Sequence, residues 1–565
     1  GGPSSLYAHG YWRDEDHPAS APSGRACWST VVASMALVLL STNGLHFLVA
    51  WEVFSIGVYF LITRERHKSE VRSAGWVFLV ASRAGSLCLV AFFAGLAART
   101  GSWELGPMHH RPDLAPWFWL ALLGFGVKAG IFPLHIWLPS AHANAPSHVS
   151  ALLSGVSIKM GIYGLVRFSG WLPTPDAAGW LVASLGAASA VLGVAFALGQ
   201  HDLKRLLAYH SVENIGIILI GLGFAMIATL HHQDAWGRLA MAGCLLHVWN
   251  HGLFKALLFL GAGSVLHSTG TREMSRLGGL WRVMPWTAGT FAVGAVAIAG
   301  LPPLNGFVSE FLVYLGLFGA VSAHSPLSWT AAPAAILLCM TGALALACFV
   351  KAGGVVFLGQ PRSEAAANAH ENGWAMRVPM LMLSLACVAI GLAPVPTWSL
   401  LAPAIAAWQP AWKESAPPHS LVALAGFHLG VVVLCTLGVT VLWRVIRHNG
   451  LRHAPTWDCG YARPTTRMQY TAGSFAAIIT SWFAWILRPR GHANRPTTIF
   501  PARASFEEHT PETVLEHVVE PGGTLVVRLA GAARRLQHGR IQAYVLYVLI
   551  GVAGLALLAV MGGAR

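Results

Sequence analysis

The stretch Gly126–Arg167, GVKAGIFPLHIWLPSAHANAPSHVSALLSGVSIKMGIYGLVR, combines two properties that rarely occur together. It is apolar enough to lie in a lipid bilayer, and yet it carries the ionisable residues Lys128, His135, His142, His148 and Lys159. An isolated charge at the centre of a membrane helix costs about 2.5–3.5 kcal/mol on insertion scales, so such residues usually face a protein interior or a water-filled path. The stretch therefore predicts buried ionisable groups with a functional role.

The helix that carries Lys128 is interrupted by Pro133, which lacks the N–H group that a helix needs and clashes with a carbonyl one turn earlier. Inside a membrane, a broken helix is tolerated only where protein or water satisfies the freed backbone groups. A second interruption, at Pro302 and Pro303, comes shortly before Glu310. Paired interruptions in two halves of a chain are typical of inverted-repeat transporters. We therefore expect two inverted repeats of five helices, each with one broken helix.

Composition places the whole chain in the same class. Of its 565 residues, 55% are hydrophobic and 11% are charged, and the mean hydropathy is +0.57. These values are typical of an all-α polytopic membrane protein rather than of several soluble domains. The net charge of +14 comes from Lys and Arg in short loops and a tail, so it does not indicate nucleic-acid binding.

Motifs for cofactors are missing from the sequence. It has no glycine-rich dinucleotide motif after a strand, no Walker motif and no CxxC cluster or haem-attachment pattern, and its eight cysteines are scattered. We therefore expect that this chain binds no cofactor or metal and has no redox centre of its own.

Lys and Arg also predict the orientation. They are concentrated in alternate loops, which the positive-inside rule assigns to the cytoplasm: Arg64, Arg66, Lys68 and Arg72, then Lys204 and Arg205, then Arg272, Arg276 and Arg282, then Arg362 and Arg377. The predicted organisation begins with an extracytoplasmic loop at 1–26 of a chain that further helices precede. A first half at 27–170 and a second half at 171–358 follow. Additional transmembrane helices are predicted at 359–446, a cytoplasmic-side segment at 447–540 and a final transmembrane helix at 541–565.

Glu52 lies in an apolar run that contains no other ionisable group. A lysine partner would keep its carboxylate charged, and Lys128 is our candidate for that partner. The alternative is a structural role, in which Glu52 bonds to a hydroxyl or to the backbone.

His148 and Lys159 are separated by almost three helical turns and are expected on one face, as in a proton relay. Lys159 could instead extend towards the membrane interface. His247, His251 and Lys255 follow one another at intervals of four residues on another apolar helix. Histidine exchanges protons near neutral pH, which suits a relay; zinc binding and structural packing are the alternatives.

Lys204, His210 and Glu213 begin a further span, and Glu310 follows the second break. Lys204 could be an interfacial anchor and Glu310 a helix cap, but both are also placed to continue a path of ionisable groups.

These residues resemble the antiporter-like membrane subunits that respiratory complex I, Mrp-type sodium/proton antiporters and group 4 hydrogenases share. The similar stretches are WEVFSIGVYFL (51–61), KAGIFPLHIWLPSAHANAPSHVSALLSG (128–155), DLKRLLAYHSVENIGI (202–217), HVWNHGLFKALLFLGAGSV (247–265) and GLPPLNGFVSEF (300–311). AYHSVENIG, the Glu after GFVS and a TWDCGYARPTTRMQY tail most resemble the large membrane subunit of hydrogenase-4 and formate hydrogenlyase.

The resemblance implies a role for each matched residue. Glu52 and Lys128 would form the Glu–Lys pair of the first half-channel, and His148 and Lys159 would connect it to the centre. Lys204, His247, His251 and Lys255 would form the central hydrophilic axis, and Glu310 the terminal site. A surface helix near 511–537 would precede the last anchoring span.

The sequence and the resemblance together predict a proton-translocating subunit of a redox-driven, NADH:quinone oxidoreductase-related complex in a bacterial inner membrane. Its expected partners are other membrane subunits, a peripheral redox arm, lipid, and protons or sodium ions. The alternatives are an Mrp-type sodium/proton antiporter subunit and a scaffold without transport.

Overall fold

The computed structural model describes residues 1–18, 20–323, 328–413, 416–450, 465–466, 468–494, 498, 505–534, 539 and 541–562. Within these residues the chain is almost entirely helical, with a single two-stranded sheet. Eleven of the described helices are long and apolar enough to cross a membrane. The all-α polytopic prediction is thus confirmed. The predicted TWDCGY motif lies outside the described residues.

The first part of the bundle ends at Trp171. Its helices are α1 Gly2–Tyr11, α2 Ala21–Leu40, α3 Gly44–Ile62, α4 Ser69–Thr100, α5 Phe118–Ala129, α6 Leu138–Asn144, α7 Ser147–Leu152 and α8 Lys159–Trp171. A π-helical turn, Leu153–Ser157, joins α7 to α8, so that both belong to one candidate span.

The second part contains α9 Ala178–Leu198, α10 Leu203–Leu230, α11 Asp234–Thr269, α12 Pro285–Ile298, α13 Asn305–Ser322 and α14 Ser328–Phe357. Helix α10 lies at the centre, because 94% of its most apolar window is buried. It is apolar on nearly every side, as expected for a helix surrounded by other helices. The polar residues that it does carry must therefore find partners inside the protein.

The remaining described elements are α15 Glu364–Ala367, α16 Trp374–Leu392, α17 Pro394–Trp408, α18 His419–Asn449, α19 Ala472–Trp482, α20 Ala484–Leu487, and the antiparallel strands β1 Arg490–Asn494 and β2 Ser505–His509. Residues 511–565 form a separate unit. It contains a π-helical turn, Leu515–Val519, and helices α21 Glu520–Arg534 and α22 Ile541–Gly562. Both predicted C-terminal helices therefore exist, and their placement at the membrane stays a prediction.

Two broken helices, α5/α6 and α12/α13, have the same construction. The sequence AGxxPL occurs in both, at 129–134 and 299–304. Gly130 and Gly300 have φ values of +77° and +61°, which glycine adopts without the steric cost of a Cβ atom. The next residues, Ile131 and Leu301, donate their N–H groups to carbonyls five positions earlier, which closes each half-helix in a Schellman motif. The helices thus end at these glycines, and the predicted Pro133, Pro302 and Pro303 lie just beyond, within the breaks.

The loops rich in Arg and Lys lie at one end of the bundle. Arg272, in the loop after α11, forms an ion pair with Asp202, in the loop after α9. Its guanidinium also lies 3.9 Å from the carboxylate of Glu70, at the start of α4. We call this the arginine-rich end, defined by loops 63–68, 199–202 and 270–284. Its assignment to the cytoplasm stays a prediction.

The N-terminal segment differs from the predicted loop, because residues 2–11 form α1. Tyr7 is buried, and its hydroxyl donates to the Leu260 carbonyl at 2.8 Å. Arg64 donates to the Ser20 carbonyl and, at 2.8 Å, to the Ser23 hydroxyl. The segment therefore lies at the arginine-rich end.

The prediction that placed residues 1–26 and Arg64 on opposite sides of the membrane is consequently wrong. Helices α2 and α3 are two successive candidate spans, and two crossings return a chain to the side from which it started.

Candidate functional site

The first cluster of charges lies where α3, α4 and α5 meet. Glu52 forms an ion pair with Arg83, while the buried Lys128 donates to the Ser55 hydroxyl at 3.3 Å. The Lys128 ammonium also lies 3.9 Å from the centre of the Phe54 ring, a cation–π contact. Lys128 therefore makes no ion-pair contact with Glu52, although the two charges interact electrostatically. Arg83 forms the ion pair with the Glu52 carboxylate, and Lys128 contacts Ser55, which lies one helical turn further along α3.

A small, mostly apolar chamber lies beside Lys128. Measured as space open to the centre of a water molecule, its volume is about 10 Å³, which is room for roughly one water. Ser82 and Ser86 of α4 line it together with Trp51 and Trp137. The Ser82 and Ser86 hydroxyls of α4, the helix that also carries Arg83, thus line the same chamber as the Lys128 amine.

Lys159 and Lys255 are linked through two serines. Lys159 donates to the carbonyl of Ser154, within the π-helical turn, and the Ser154 hydroxyl lies 2.9 Å from the Ser211 hydroxyl of α10. Ser211 and Lys255 both donate to the carbonyl of Leu207, Ser211 at 3.4 Å. Hydrogen bonds thus connect α8 to α11 by way of α10.

A chain of seven buried side chains runs from α10 through α11 to α13. His210 Nδ1 lies 2.5 Å from the Glu213 carboxylate, which accepts from Asn214 at 2.9 Å. Asn214 Oδ1 lies 3.0 Å from His247 Nε2, and His247 Nδ1 lies 2.9 Å from the Ser309 hydroxyl. The chain ends with Asn250, which donates to Ser309 at 3.0 Å, and Asn305, which donates to Asn250 at 3.1 Å.

We call these seven residues the amide–imidazole chain. All of them are at most 1% exposed. Buried polar groups of this kind are costly unless they are hydrogen-bonded. Their unbroken sequence of contacts therefore fixes the side chains in one arrangement, from the central helix to the second broken helix.

Two buried histidines beside this chain are differently placed. Neither ring nitrogen of His142 or of His251 has a hydrogen-bond partner among the side chains and backbone that the structure describes. The His142 ring stacks on Phe259 at 5.2 Å between ring centres, and the His251 ring lies 6.4 Å from that of His247. Both rings can therefore accept or donate further hydrogen bonds.

Four buried lysines share one kind of acceptor, a backbone carbonyl. Lys159 donates to Ser154, Lys204 to Ala145, Lys255 to Leu207, and Lys351 to Leu198 at 2.6 Å and Gln200 at 2.8 Å. A neutral carbonyl binds an ammonium group less strongly than a carboxylate does. The carbonyls therefore hold each amine in position but stabilise its protonated form less than a carboxylate would.

His148 and Glu310 occupy opposite parts of the structure. His148 does not join Lys159: its ring lies 5.8 Å from those of Tyr11 and Trp28, at the wall of an open cavity of about 710 Å³. The prediction that His148 and Lys159 lie on one face assumed a regular α-helix, and the π-helical turn between them breaks that regularity.

Glu310 is buried beside Gly300 in the second break and directly follows Ser309 of the amide–imidazole chain.

The sequence prediction missed Arg83, Lys351 and the neutral members of the chain, Asn214, Asn250, Asn305 and Ser309. A signal was available for the amides, because Asn214 follows His210 by four residues and Asn250 follows His247 by three, on the same helix faces. These amides carry no charge, so the pattern of ionisable groups does not reveal them.

Comparison with known proteins gives a consistent picture. The family model for the transmembrane region of NADH:quinone oxidoreductase and Mrp antiporter proteins matches residues 41–338. Hydrogenase-4 component B of Escherichia coli (strain K12) is 35% identical over 573 residues, which are 96% of this chain and 84% of that protein. Formate hydrogenlyase subunit 3 of the same organism is 35% identical over 483 residues, 83% of this chain and 76% of that protein.

The fold is also similar to that of a solved structure. A chain of the membrane-bound sulfane sulfur reductase, an archaeal respiratory membrane complex, superposes with a TM-score of 0.76 at 22% identity, covering 98% of this chain and 87% of that one. The broken helices and the buried polar axis lie almost entirely within the residues that the family model matches. This multi-pass membrane chain therefore belongs to the NADH:quinone oxidoreductase/Mrp antiporter transmembrane family.

Proposed function

We propose that this chain is the proton-translocating subunit of a redox-driven complex of the hydrogenase-4 or formate hydrogenlyase type, in a bacterial inner membrane. The observation that carries the proposal is the unbroken polar path between the central helix and the second broken helix, together with the lysines that adjoin it. Relatives that are named as components of hydrogenase-4 and formate hydrogenlyase support it. In this proposal, partner membrane subunits and a peripheral arm carry the redox centres.

The residues divide into two kinds by their chemistry. Lys128, Lys159, Lys255, Glu213 and Glu310 can bind and release a proton. Amides such as that of Asn214 donate and accept hydrogen bonds but do not readily gain a proton. In our proposal they position the histidine and carboxylate groups, whereas the lysine, histidine and glutamate side chains move the charge.

The first charge cluster would couple the path to the redox reaction. Glu52 is held by Arg83, and Lys128 is bonded to a neutral hydroxyl. A shift of charge near this cluster changes how strongly Lys128 holds its proton, because electrostatic energies are large away from water. Protons would then pass by Lys159 and Lys255 towards Glu310.

The test uses the assembled complex in sealed vesicles, with a fluorescent pH indicator and an electron donor. We expect Lys128→Met and Lys255→Met to abolish acidification that depends on electron transfer. Lys413→Met, at an exposed lysine, is the matched control and should leave it unchanged. Normal acidification in both buried-lysine variants would overturn the proposal.

A second arm tests the antiporter alternative. A sodium gradient is applied to the same vesicles without an electron donor. Proton movement driven by sodium alone would favour an Mrp-type antiporter, and its absence alongside redox-driven acidification would support our proposal.

A further inference from the structure

Lys351 is a buried lysine that the path described so far does not use. It lies on α14, is 1% exposed, and donates to the carbonyls of Leu198 and Gln200 at the end of α9. Those carbonyls belong to the arginine-rich end of the bundle. Lys351 thus sits under the surface at the point where α9 turns into α10.

One side of Lys351 faces the amide–imidazole chain. Cys348 precedes Lys351 by three residues, so both lie on one face of α14, and Cys348 interacts electrostatically with His210. The His210 ring lies 4.6 Å from that of Phe349. Among the described residues its Nε2 atom has no nitrogen or oxygen partner, and the Cys348 thiol of α14 is a hydrogen-bond partner of the ring. The amide–imidazole chain therefore ends at an imidazole beside the Cys348 thiol, which is one helical turn from Lys351, and the charge of Lys351 acts on this imidazole.

The other side of Lys351 faces the surface, where the β-hairpin docks. Thr510, directly after β2, donates to the Gly199 carbonyl at 3.0 Å, between the two residues that Lys351 binds. His201 in the same loop interacts with Lys351, Glu273, Glu508 and His509. Its imidazole and the Glu508 carboxylate both lie against Gly473 of α19.

We propose that Lys351, His201 and Glu508 form a proton port between the arginine-rich end and the amide–imidazole chain. This inference rests on the proposed function and assigns a new residue to it. In the step, an N–H bond of the Lys351 ammonium breaks and one forms at His210 Nε2, and Lys351 regains a proton from water at the His201 side. Lys351 is the transferring group, and Glu508 on the hairpin is a positioning residue.

The charges around His201 suit exchange with water. Burial lowers the pKa of this imidazole and the charge of Lys351 lowers it further, whereas Glu273 and Glu508 oppose both. Burial and Lys351 therefore disfavour the protonated form of His201, and the carboxylates favour it; one of these carboxylates, Glu508, is supplied by the hairpin.

The decisive experiment compares Lys351→Arg with Lys351→Met in the assembled complex. Arginine keeps the positive charge and the donors to both carbonyls but does not release its proton. We expect normal assembly and loss of redox-driven acidification for Lys351→Arg. Acidification retained in that variant would show that Lys351 is a structural clamp and would overturn the port. Lys128→Met and Lys255→Met in parallel separate the two proposals: if both variants still acidify normally, the proposed function itself fails.

A second variant tests the port without touching a buried residue. Glu508→Gln removes a negative charge that favours protonated His201, so the pKa of His201 falls further. We expect the pH profile of redox-driven acidification to shift to lower pH, with electron transfer at saturating donor unchanged. Glu516→Gln, outside the hairpin, is the control. An identical pH profile in Glu508→Gln and the parent would contradict the port.

Discussion

At the scale of single residues, the candidate path joins two chemistries that sequence patterns do not distinguish. Lysines held by backbone carbonyls provide sites that gain and lose protons, and the amides of Asn214, Asn250 and Asn305 fix the geometry between them. The central position belongs to Asn214, which contacts both Glu213 and His247.

Asn214→Leu therefore removes the hydrogen bond between Asn214 of α10 and His247 of α11. It leaves the Nε2 atom of the buried His247 without its partner, which costs about 1–3 kcal/mol, and removes one of the two hydrogen bonds to the Glu213 carboxylate. We expect the rate of redox-driven acidification to fall by about tenfold, which corresponds to a barrier for proton transfer that is higher by about 1.4 kcal/mol, because His247 is no longer held against α10. Asn372→Leu is the control, because Asn372 donates a buried hydrogen bond to the Ser264 carbonyl away from the path. Equal acidification per assembled complex in the two variants would contradict the role of Asn214.

The pair of Glu52 and Arg83 predicts a pattern of rescue. Arg83→Met leaves the Glu52 carboxylate without its counter-charge in an apolar span, so we expect a lower yield of folded protein on extraction. Adding Glu52→Gln removes the uncompensated charge and should restore the yield. Folded yield, measured by size-exclusion chromatography in detergent, gives the result. A double variant no better than Arg83→Met would show that the pair is not the cause; Arg99→Met, at an exposed arginine, serves as control.

At the scale of elements, the two broken helices depend on glycine more than on proline. Gly130 and Gly300 end their half-helices with positive φ, a conformation that costs other residues roughly 1–2 kcal/mol. We expect Gly130→Ala and Gly300→Ala to lower the thermal midpoint in detergent. Gly342→Ala, inside α14 with open space around it, should raise it slightly, since alanine favours a helix by about 0.5–1 kcal/mol. A raised midpoint in either break variant would contradict this account.

Sequence reasoning found the elements better than their contacts. Apolar spans, interruptions and lone charges in membrane helices follow from local physics, and so Lys128, Lys255 and both breaks were predictable. Partners depend on how helices pack: nothing in the run around Glu52 shows that Arg83, rather than Lys128, lies opposite. The prediction that His148 and Lys159 share one helix face failed for a similar reason: the π-helical turn between them changes the direction in which the later side chains of the helix project.

At the scale of the whole molecule, the N-terminal segment and the loop after α3 share one end of the bundle. Single cysteines at Asp14 and His67 should therefore react with a membrane-impermeant maleimide from the same side, and one at Ser102 from the other. The background lacks the eight native cysteines, and right-side-out and inverted vesicles are compared. We expect Asp14 and His67 to label in inverted vesicles, as the positive-inside rule requires. Labelling of Asp14 and Ser102 together would contradict the arrangement.

The carbonyl acceptors of the buried lysines have a genetic consequence. A main-chain oxygen is present whatever side chain the codon specifies, so no missense change at Ser154, Ala145 or Leu207 deletes the group that each amine binds. A selection for suppressors of a defective variant of one of these lysines would consequently yield no mutations at these three positions. Compensating alleles would instead arise where a new side chain can reach the empty amine position from a neighbouring helix.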